Sequence, residues 1–387
     1  MRARAAWYAA AWVTIFLSVL RGIRLPNRYA TAHFYFNYSQ GFVKRGLVGE
    51  IINLIDAPFM YRYSFICLAS FGLLALNIWL LWRVVQDFLD REDVALSCFA
   101  LCFNASLALV FLSHSVGYFD HVGLAVALTT VRLRSVRAKM IFLIPAGAVA
   151  ILIHEGTFLL FMPVAYLSVL MATGEREWSR DRTLVAGIVL FHSTLTFVMG
   201  HFAVLSGAAL ARMREALSYR VAFPLVAETF DDALGKKAAL REIHDWRALV
   251  ANFDSVCTVL PSLITFIAFT LRMLNRAPWY LIGAAFLASV SPLAMHALAA
   301  DMPRWDTIAL TTSFLSAYLA YCWLRRSTDD RMTGWWNGPV YVPLLVALIA
   351  LNGSSMTVLF DGEHVKQFPF FEHRHHLVEC LRTFKHH

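Results

Sequence analysis

The chain has few charged residues and lacks the long polar stretches that a soluble domain of its length needs. Charged residues make up 16% of its 387 residues and hydrophobic residues 59%, against about 25% and 45–50% in soluble domains. A mean hydropathy of +0.58 and an aromatic content of 14% exclude a disordered chain or a nucleic-acid-binding arm. The composition therefore predicts a polytopic membrane protein with no nucleic-acid partner.

The usual signatures of soluble catalytic sites are also missing. The six cysteines are too few and too scattered for a disulfide framework. The sequence contains no HExxH, no Cys/His zinc spacing, no P-loop and no Gly-x-Ser-x-Gly. A zinc protease, a nucleotide-binding P-loop enzyme and a serine hydrolase with a nucleophile elbow are thus disfavoured.

Eleven apolar runs predict an all-α membrane protein with about eleven transmembrane helices. Residues 1–387 form a single integral membrane domain, with long loops at 21–62 and 206–255 and a tail at 352–387. The first run could be a signal peptide, but no small-x-small cleavage pattern follows it, so we interpret it as a retained span. The runs are Ala5–Leu20, Tyr63–Val85, Val94–Ser113, Val122–Val131, Met140–Ile153, Thr157–Ala172, Leu184–Val204, Val256–Leu271, Trp279–Met295, Thr307–Leu324 and Val340–Leu351.

Basic residues in the connections predict the orientation. One set of alternate connections carries sixteen Lys and Arg residues, whereas the short loops of the other set carry only Arg304. Short cytoplasmic loops are enriched in Lys and Arg. The sequence therefore predicts a bacterial-type inner-membrane protein with a cytoplasmic N-terminus, and both long loops and the tail outside.

Ionisable residues are concentrated in the three short loops on the predicted external side. Short loops have little reach, so their side chains should crowd together at one end of the bundle, and ionisable groups near a bilayer are functional by default. The alternative for any one residue is that it caps a helix end at the interface. The residues are His114, Asp120 and His121, then His154 and Glu155, then His296, Asp301, Arg304 and Asp306.

The first long loop is aromatic, basic and punctuated by glycine from Asn37 to Glu50. Lys44 and Arg45 offer cations that suit a phosphate or pyrophosphate group. The aromatic residues either stack on sugar rings or form an interfacial belt, and the belt is the more common role for any single one. Outside the membrane a Lys-Arg pair needs a reason, and an anionic lipid phosphate supplies one.

The second long loop and the tail have blander interpretations. Residues 206–255 alternate charged and apolar residues, which predicts one or two amphipathic helices on the membrane surface. The tail holds six of the fourteen histidines. Metal binding is one reading of such a tract, but a solvated tail with an interfacial phenylalanine cluster is favoured.

The chain resembles the GT-C superfamily of membrane glycosyltransferases and the related lipid-linked polysaccharide polymerases and ligases. The resemblance lies in the Asn37–Glu50 loop after the first span and in Asp301–Trp305 before a late span. It implies a polyprenyl-phosphate or -pyrophosphate sugar donor, a glycan or lipid acceptor and contact with membrane lipids. Metal-dependent members carry an acid early in the first loop, but no acidic residue precedes Glu50 here. The resemblance therefore favours metal-independent chemistry without a cofactor, over a divalent metal.

This resemblance assigns roles to the candidate residues. Such a transferase needs cations on the donor phosphate and a base for the acceptor hydroxyl. Apolar surroundings would raise the pKa of an acid at such a site, and an adjacent acid would orient a histidine. The expected phosphate-binding residues are Lys44, Arg45 and Arg304, with Asp301 and His296. The expected bases are Asp120 and Glu155, followed by His121 and His154, with Glu50 as an outside candidate. Asn37 is a further site candidate without an assigned role.

A transporter or flippase of a lipid-linked or anionic solute is the alternative function. Secondary transporters place ionisable groups near the bilayer midplane and are often built from two repeats. The apolar runs contain mainly His192 and His201 and show no evident repeat. The sequence therefore favours the transferase.

The orientation leads to a testable prediction. Cysteines placed singly at Arg134 and at His154 in a cysteine-free background should react with a membrane-impermeant thiol reagent from opposite sides. Labelling of both positions from the same side would contradict the predicted topology.

Overall fold

The structure, a computed structural model, describes residues 2–173, 178–223, 225, 227–234, 253–297, 302–327 and 340–354. Within these ranges all regular secondary structure is helical. The predicted all-α polytopic fold is therefore confirmed.

Between Tyr63 and Ala172, successive helices are joined by short connections. Short 3-10 turns lie at Tyr38–Gln40, Pro58–Tyr61 and Ser291–Ala297. The α-helices are α1 (Arg2–Gly22), α2 (Arg28–His33), α3 (Gly46–Ile55), α4 (Tyr63–Leu89), α5 (Val94–Ala105), α6 (Leu107–His114), α7 (Asp120–Arg132), α8 (Val136–Ile153), α9 (Thr157–Leu160), α10 (Met162–Ala172), α11 (Trp178–Phe202), α12 (Gly207–Ser218), α13 (Ala227–Leu234), α14 (Phe253–Met273), α15 (Trp279–Val290), α16 (Met302–Ser327) and α17 (Tyr341–Ser354).

All eleven predicted apolar runs fall on helices. Within the described residues, seven helical segments are long and apolar enough to cross a membrane, and α5 with α6 counts as one of them. The helix is interrupted at Ser106, whose backbone is extended and whose hydroxyl accepts a hydrogen bond from the Ala108 amide, so that it caps the start of α6. The remaining runs form shorter helices, including α7 with 13 residues and α10 with 11.

Two spans form the core of the bundle. In the apolar windows of the α5–α6 span and of α16, 94% and 83% of residues are buried, whereas the other candidate spans are at most 39% buried. These two spans meet through stacked phenylalanines, and the ring centroids of Phe103 and Phe314 lie 3.9 Å apart. A lipid-facing helix keeps an exposed apolar face. The α5–α6 span and α16 lack such a face, so they lie inside the bundle and the other candidate spans surround them.

The start of α7 lies deep along its neighbour α4. The Asn77 side chain on α4 donates a hydrogen bond of 2.9 Å to the His121 carbonyl at the start of α7. Asn77 follows Tyr63, the first residue of α4, by fourteen residues, which corresponds to about 21 Å along a helix. We call this region, where α6 ends and α7 and α16 begin, the site end of the bundle.

The first long loop folds as a cap over the site end. Its buried aromatic residues, including Tyr35 and Phe36, share an apolar cluster with α12 and α13. The loop turns back on itself because the Glu50 carboxylate accepts a hydrogen bond of 2.9 Å from the Tyr38 amide. Gly49 lets this fold close, since a Cβ at this position would lie 2.0 Å from the Phe36 carbonyl oxygen.

The helix α3 was not anticipated, since the sequence suggested a continuous external loop here. Its inner face packs Ile52 against Ile153 and other residues of the cap cluster. Its outer face exposes Leu54 and Ile55 at 76% and 58% of their area. A short helix with two apolar faces differs from a solvated loop segment, and this explains why periodicity alone did not reveal it.

The opposite end of the bundle has its own polar contacts. There the Arg132 guanidinium and the Tyr318 hydroxyl both contact the Asp87 carboxylate, and Arg4 pairs with Asp90. The Lys139 ammonium donates to the Thr130 and Val131 carbonyls and so caps the C-terminal end of α7. Of these residues, Arg4, Arg132 and Lys139 belong to the basic set that the sequence predicts on the cytoplasmic side.

The close packing of the cap leads to a stability prediction. Gly49→Ala should lower the free energy of unfolding by about 1–3 kcal/mol, because the new methyl group overlaps the Phe36 backbone. Gly72→Ala on α4 is the matched control, since nothing lies within 4 Å of its Cβ position. Thermal unfolding in detergent measures both, and equal effects of the two substitutions would contradict the described packing of the cap.

Candidate functional site

Six ionisable side chains form a continuous row beneath the cap. They come from α2, the turn before α3, the turn between α8 and α9, and the first turns of α7 and α16. The first long loop and the three short loops predicted to be external therefore each contribute. We call this row the ionisable chain, and its members are, in spatial order, His33, Arg45, Glu155, His154, Asp120 and Arg304.

Arg45 joins the cap to the turn between α8 and α9. Its Nε and Nη2 donate to the two oxygens of Glu155 at 3.3 and 3.1 Å, which is a bidentate pair. The two side chains remain 19% and 21% exposed. Burial acts to raise the pKa of Glu155, but the Arg45 charge outweighs it and holds that pKa well below its usual value. Glu155 is therefore ionised in this arrangement.

Arg45 also fixes the state of His33. Its Nη1 lies 3.3 Å from His33 Nε2, and a guanidinium can only donate hydrogen bonds. His33 Nε2 therefore accepts, so the ring is neutral and carries its proton on Nδ1. Burial and the Arg45 charge hold the pKa of His33 well below its usual value, which agrees with the neutral form.

Arg45 adopts an unusual backbone conformation. It is in the left-handed region with φ of 59°, which few residues other than glycine occupy. Such a conformation costs of order 1–3 kcal/mol and persists only where the surrounding structure holds it. The bidentate pair with Glu155 supplies such a restraint.

Arg304 and Asp120 form the more deeply buried of the two arginine–carboxylate pairs in the ionisable chain. Their side chains are 9% and 3% exposed, and Arg304 Nε donates to Asp120 Oδ2 at 2.7 Å. Burial acts to raise the pKa of Asp120, but Arg304 and His154 outweigh it and lower that pKa. Burial therefore acts on both acids in the expected direction, but the net shift is the opposite one because an arginine pairs with each of them.

His154 connects the two arginine-carboxylate pairs. The Gly156 amide donates a hydrogen bond of 3.1 Å to His154 Nδ1, so a neutral ring carries its proton on Nε2. Nε2 lies 3.2 Å from Asp120 Oδ1, and Nδ1 lies 3.8 Å from Glu155 Oε2. His154 is therefore oriented by the backbone, and its Nε2 is the ring nitrogen that lies next to Asp120.

Aromatic rings hold the Arg304 guanidinium on two sides. Its Cζ lies 4.7 Å from the ring centroid of Tyr118 and 4.8 Å from that of Trp305. The Asn27 side chain in turn donates to the Tyr118 hydroxyl at 3.2 Å. A cavity of about 20 Å³ lies against Asp120 and Arg304, which is enough for roughly one water molecule.

Lys44 and His296 are two further candidate residues that do not belong to the ionisable chain itself. Lys44 precedes Arg45 and is half-buried, and its positive charge contributes to the lowered pKa of Glu155. His296 Nε2 pairs with Asp306 Oδ1 at 2.9 Å, which makes a second histidine–acid contact beside α16. Asp301 lies outside the described residues.

The other candidate residues have contacts that stabilise turns. Both ring nitrogens of His121 face backbone carbonyls, those of Leu112 and Tyr118, at 2.8 and 3.2 Å. Asn37 accepts from the Ser39 amide, and Glu50 from the amide of Tyr38. In the described part of the chain, no group of three or more His, Cys, Asp or Glu side chains is arranged to hold a metal ion.

His33 and Tyr118 are site residues that the sequence reasoning did not select. His33 lies at the start of the aromatic loop segment, and Tyr118 is an uncharged residue of a short loop. They belong to the site because Arg45 contacts His33 and Arg304 lies over the ring of Tyr118. The signal available in the sequence was a histidine close to an isolated Lys-Arg pair.

The buried pair predicts a large stability difference between two aspartates. Asp120→Ala should lower the free energy of unfolding by about 3–5 kcal/mol, because it leaves Arg304 buried without its carboxylate. Asp90→Ala is the matched control, since the Arg4–Asp90 pair is 48% and 42% exposed and its loss costs at most about 1 kcal/mol. Similar denaturation midpoints in detergent for the two variants would contradict this assignment.

Comparison with known proteins supports membrane localisation and goes no further. No curated protein and no solved structure matches the chain. A family described as "Uncharacterised membrane protein Rv1490" is similar to residues 3–190. These residues include five members of the ionisable chain and exclude Arg304. Together with the apolar helices, this similarity indicates an integral membrane protein.

Proposed function

We propose that the protein is a membrane glycosyltransferase or glycan polymerase. It takes a polyprenyl-phosphate- or pyrophosphate-linked sugar as donor on the external, periplasmic face of the membrane. The observation that carries this proposal is the ionisable chain, in which two arginines and two carboxylates from separate segments meet at the end of the two core spans. Ionisable groups in such a place are costly and so indicate a function.

The cations suit the phosphate of the donor. In the ionisable chain, the positive charges of Arg45 and Arg304 are balanced by the negative charges of Glu155 and Asp120. Lys44 adds a positive charge, and no carboxylate of the described residues lies within 4.0 Å of its ammonium group. The local excess of positive charge favours one phosphodiester, and a guanidinium fits two of its oxygens at once.

The carboxylates suit proton removal from the acceptor. In the reaction the acceptor oxygen attacks the anomeric carbon, the bond from that carbon to the phosphate oxygen breaks, and the hydroxyl proton passes to a base. Glu155 is the proposed base because it is the more exposed of the two acids, at 21%. Asp120, with 3% exposure, orients His154 and Arg304 instead. Lys44, Arg45 and Arg304 stabilise the departing phosphate.

The proposal predicts a loss of transfer without a loss of folding. Glu155→Gln should lower the transfer rate by about 10²–10⁴-fold, the usual contribution of a general base. Arg304→Lys should weaken donor binding by about tenfold or more, because an ammonium cannot replace a bidentate fork. The assay follows radiolabelled sugar from C15 prenyl-phosphate donors to extracted glycan or lipid in nanodiscs.

Asp90→Asn is the control, since its carboxylate belongs to an ion pair at the opposite end of the bundle. It should transfer sugar at the wild-type rate. Wild-type rates in Glu155→Gln would remove Glu155 from the catalytic role. Wild-type protein that neither binds nor consumes any prenyl-phosphate donor would overturn the glycosyltransferase proposal.

A transporter or flippase of a lipid-linked or anionic solute is the second candidate. The observation that favours it is the burial of Asp120, which is 3% exposed and precedes His121, the residue whose carbonyl contacts Asn77 within α4, because transporters keep ionisable groups inside the bundle. Proteoliposomes distinguish the two functions. A flippase moves labelled prenyl-phosphate sugar across the bilayer with its glycosidic bond intact, whereas a transferase breaks that bond.

A further inference from the structure

Arg45 has two competing anionic partners if the proposed function holds. Its Nε and Nη2 are both engaged by Glu155 at 3.3 and 3.1 Å, and its Nη1 faces His33. These contacts engage three of the five N–H donors of the guanidinium, and Glu155 occupies the whole Nε/Nη2 edge. A phosphodiester can pair with that edge in a bidentate manner only if Glu155 gives up at least one of its two contacts.

We propose that Glu155 is a gate on the anion site, and that a phosphodiester lipid binds Arg45 by displacing the Glu155 carboxylate. This inference rests on the proposed function, since it takes the phosphodiester from there. It adds that binding the donor and freeing the base are one exchange of partners at Arg45. The carboxylate of Glu155 thereby acts as a competitor before it acts as a base.

The surroundings of Glu155 determine what happens to the displaced carboxylate. The charged or titratable groups that face it are Arg45 and Lys44 from the cap and His154 from its own turn. Beyond His154 lies the Asp120–Arg304 pair, which is neutral as a whole. Once the phosphodiester neutralises Arg45 and Lys44, the carboxylate keeps its partial burial and loses its strongest cationic partner.

A buried carboxylate without a cation binds protons more strongly. Its pKa therefore rises when the phosphodiester enters, which reverses the effect of Arg45 described above. With an acceptor present, the proton comes from the acceptor hydroxyl as the new glycosidic bond forms. Without an acceptor, it comes from solvent, so phosphodiester binding should take up one proton.

The probe for the test is farnesyl methyl phosphate, a phosphodiester whose own charge stays constant between pH 5 and 8. Binding to the full-length protein in detergent is measured by calorimetry at several pH values. The gate predicts that wild-type affinity falls as the pH rises, by up to about tenfold per pH unit for one proton taken up. Glu155→Gln keeps His33, His154 and Asp120, so a flatter pH dependence in this variant isolates Glu155.

The gate makes a second prediction that an ordinary binding residue would not. Removing the competitor should tighten binding, so Glu155→Gln should bind the probe about tenfold more strongly than wild type near pH 7.5. Asp90→Asn, which also loses an ion-paired carboxylate, should bind like wild type. The double variant Arg45→Ala/Glu155→Gln should lose the gain.

Infrared difference spectra of the wild-type protein test the same exchange without any substitution. Adding the probe should produce the C=O stretching band of a protonated carboxyl group. Repeating the measurement in D₂O should shift this band, because deuterium replaces the carboxyl proton. If wild type binds the probe but shows no such band, and Glu155→Gln binds no more tightly, the gate is overturned and the glycosyltransferase proposal stands. If neither protein binds the probe, the proposed function fails together with the gate.

Discussion

The Arg304–Asp120 pair is the constraint on which the site end depends. Removing two charges from water costs several kcal/mol for each ion, and the cost is recovered only with close geometry and further hydrogen bonds. The surrounding residues supply charge-stabilising contacts, since Tyr118 and Trp305 lie against the guanidinium and His154 Nε2 lies 3.2 Å from the second oxygen of the carboxylate. The two core spans begin or end here, so the pair also fixes how α6, α7 and α16 meet.

The cap completes this arrangement through a second pair of similar type but different burial. Arg45 and Glu155 are about one-fifth exposed, whereas Arg304 and Asp120 are almost fully buried. A pair at the edge of solvent exchanges partners at lower cost than one in the interior. The Arg45–Glu155 pair is therefore the one of the two whose contact exchanges at lower cost.

The sequence predicted the bundle far better than the site. Apolar runs report burial in lipid directly, and for that reason all eleven fell on helices. Charges in short loops singled out Asp120, His154, Glu155 and Arg304, which the structure brings together in one row. Their partners could not be predicted, because pairing depends on the crossing of distant helices and on Gly156 orienting one imidazole. His33 and α3 were missed because both lie in a loop whose fold depends on the close approach of Gly49 to Phe36.

The small cavity beside Asp120 and Arg304 also bears on mechanism. A space of about 20 Å³ holds one water molecule and no sugar ring, so a ligand of that size does not fit there in this arrangement. The Arg45–Glu155 pair joins the cap to the turn between α8 and α9. A ligand that replaces Glu155 on Arg45 thus removes a contact that holds the cap closed, and so favours an open state by its differential affinity. Recognition of the anion, release of the base and opening of the site would then have one physical origin in the guanidinium of Arg45.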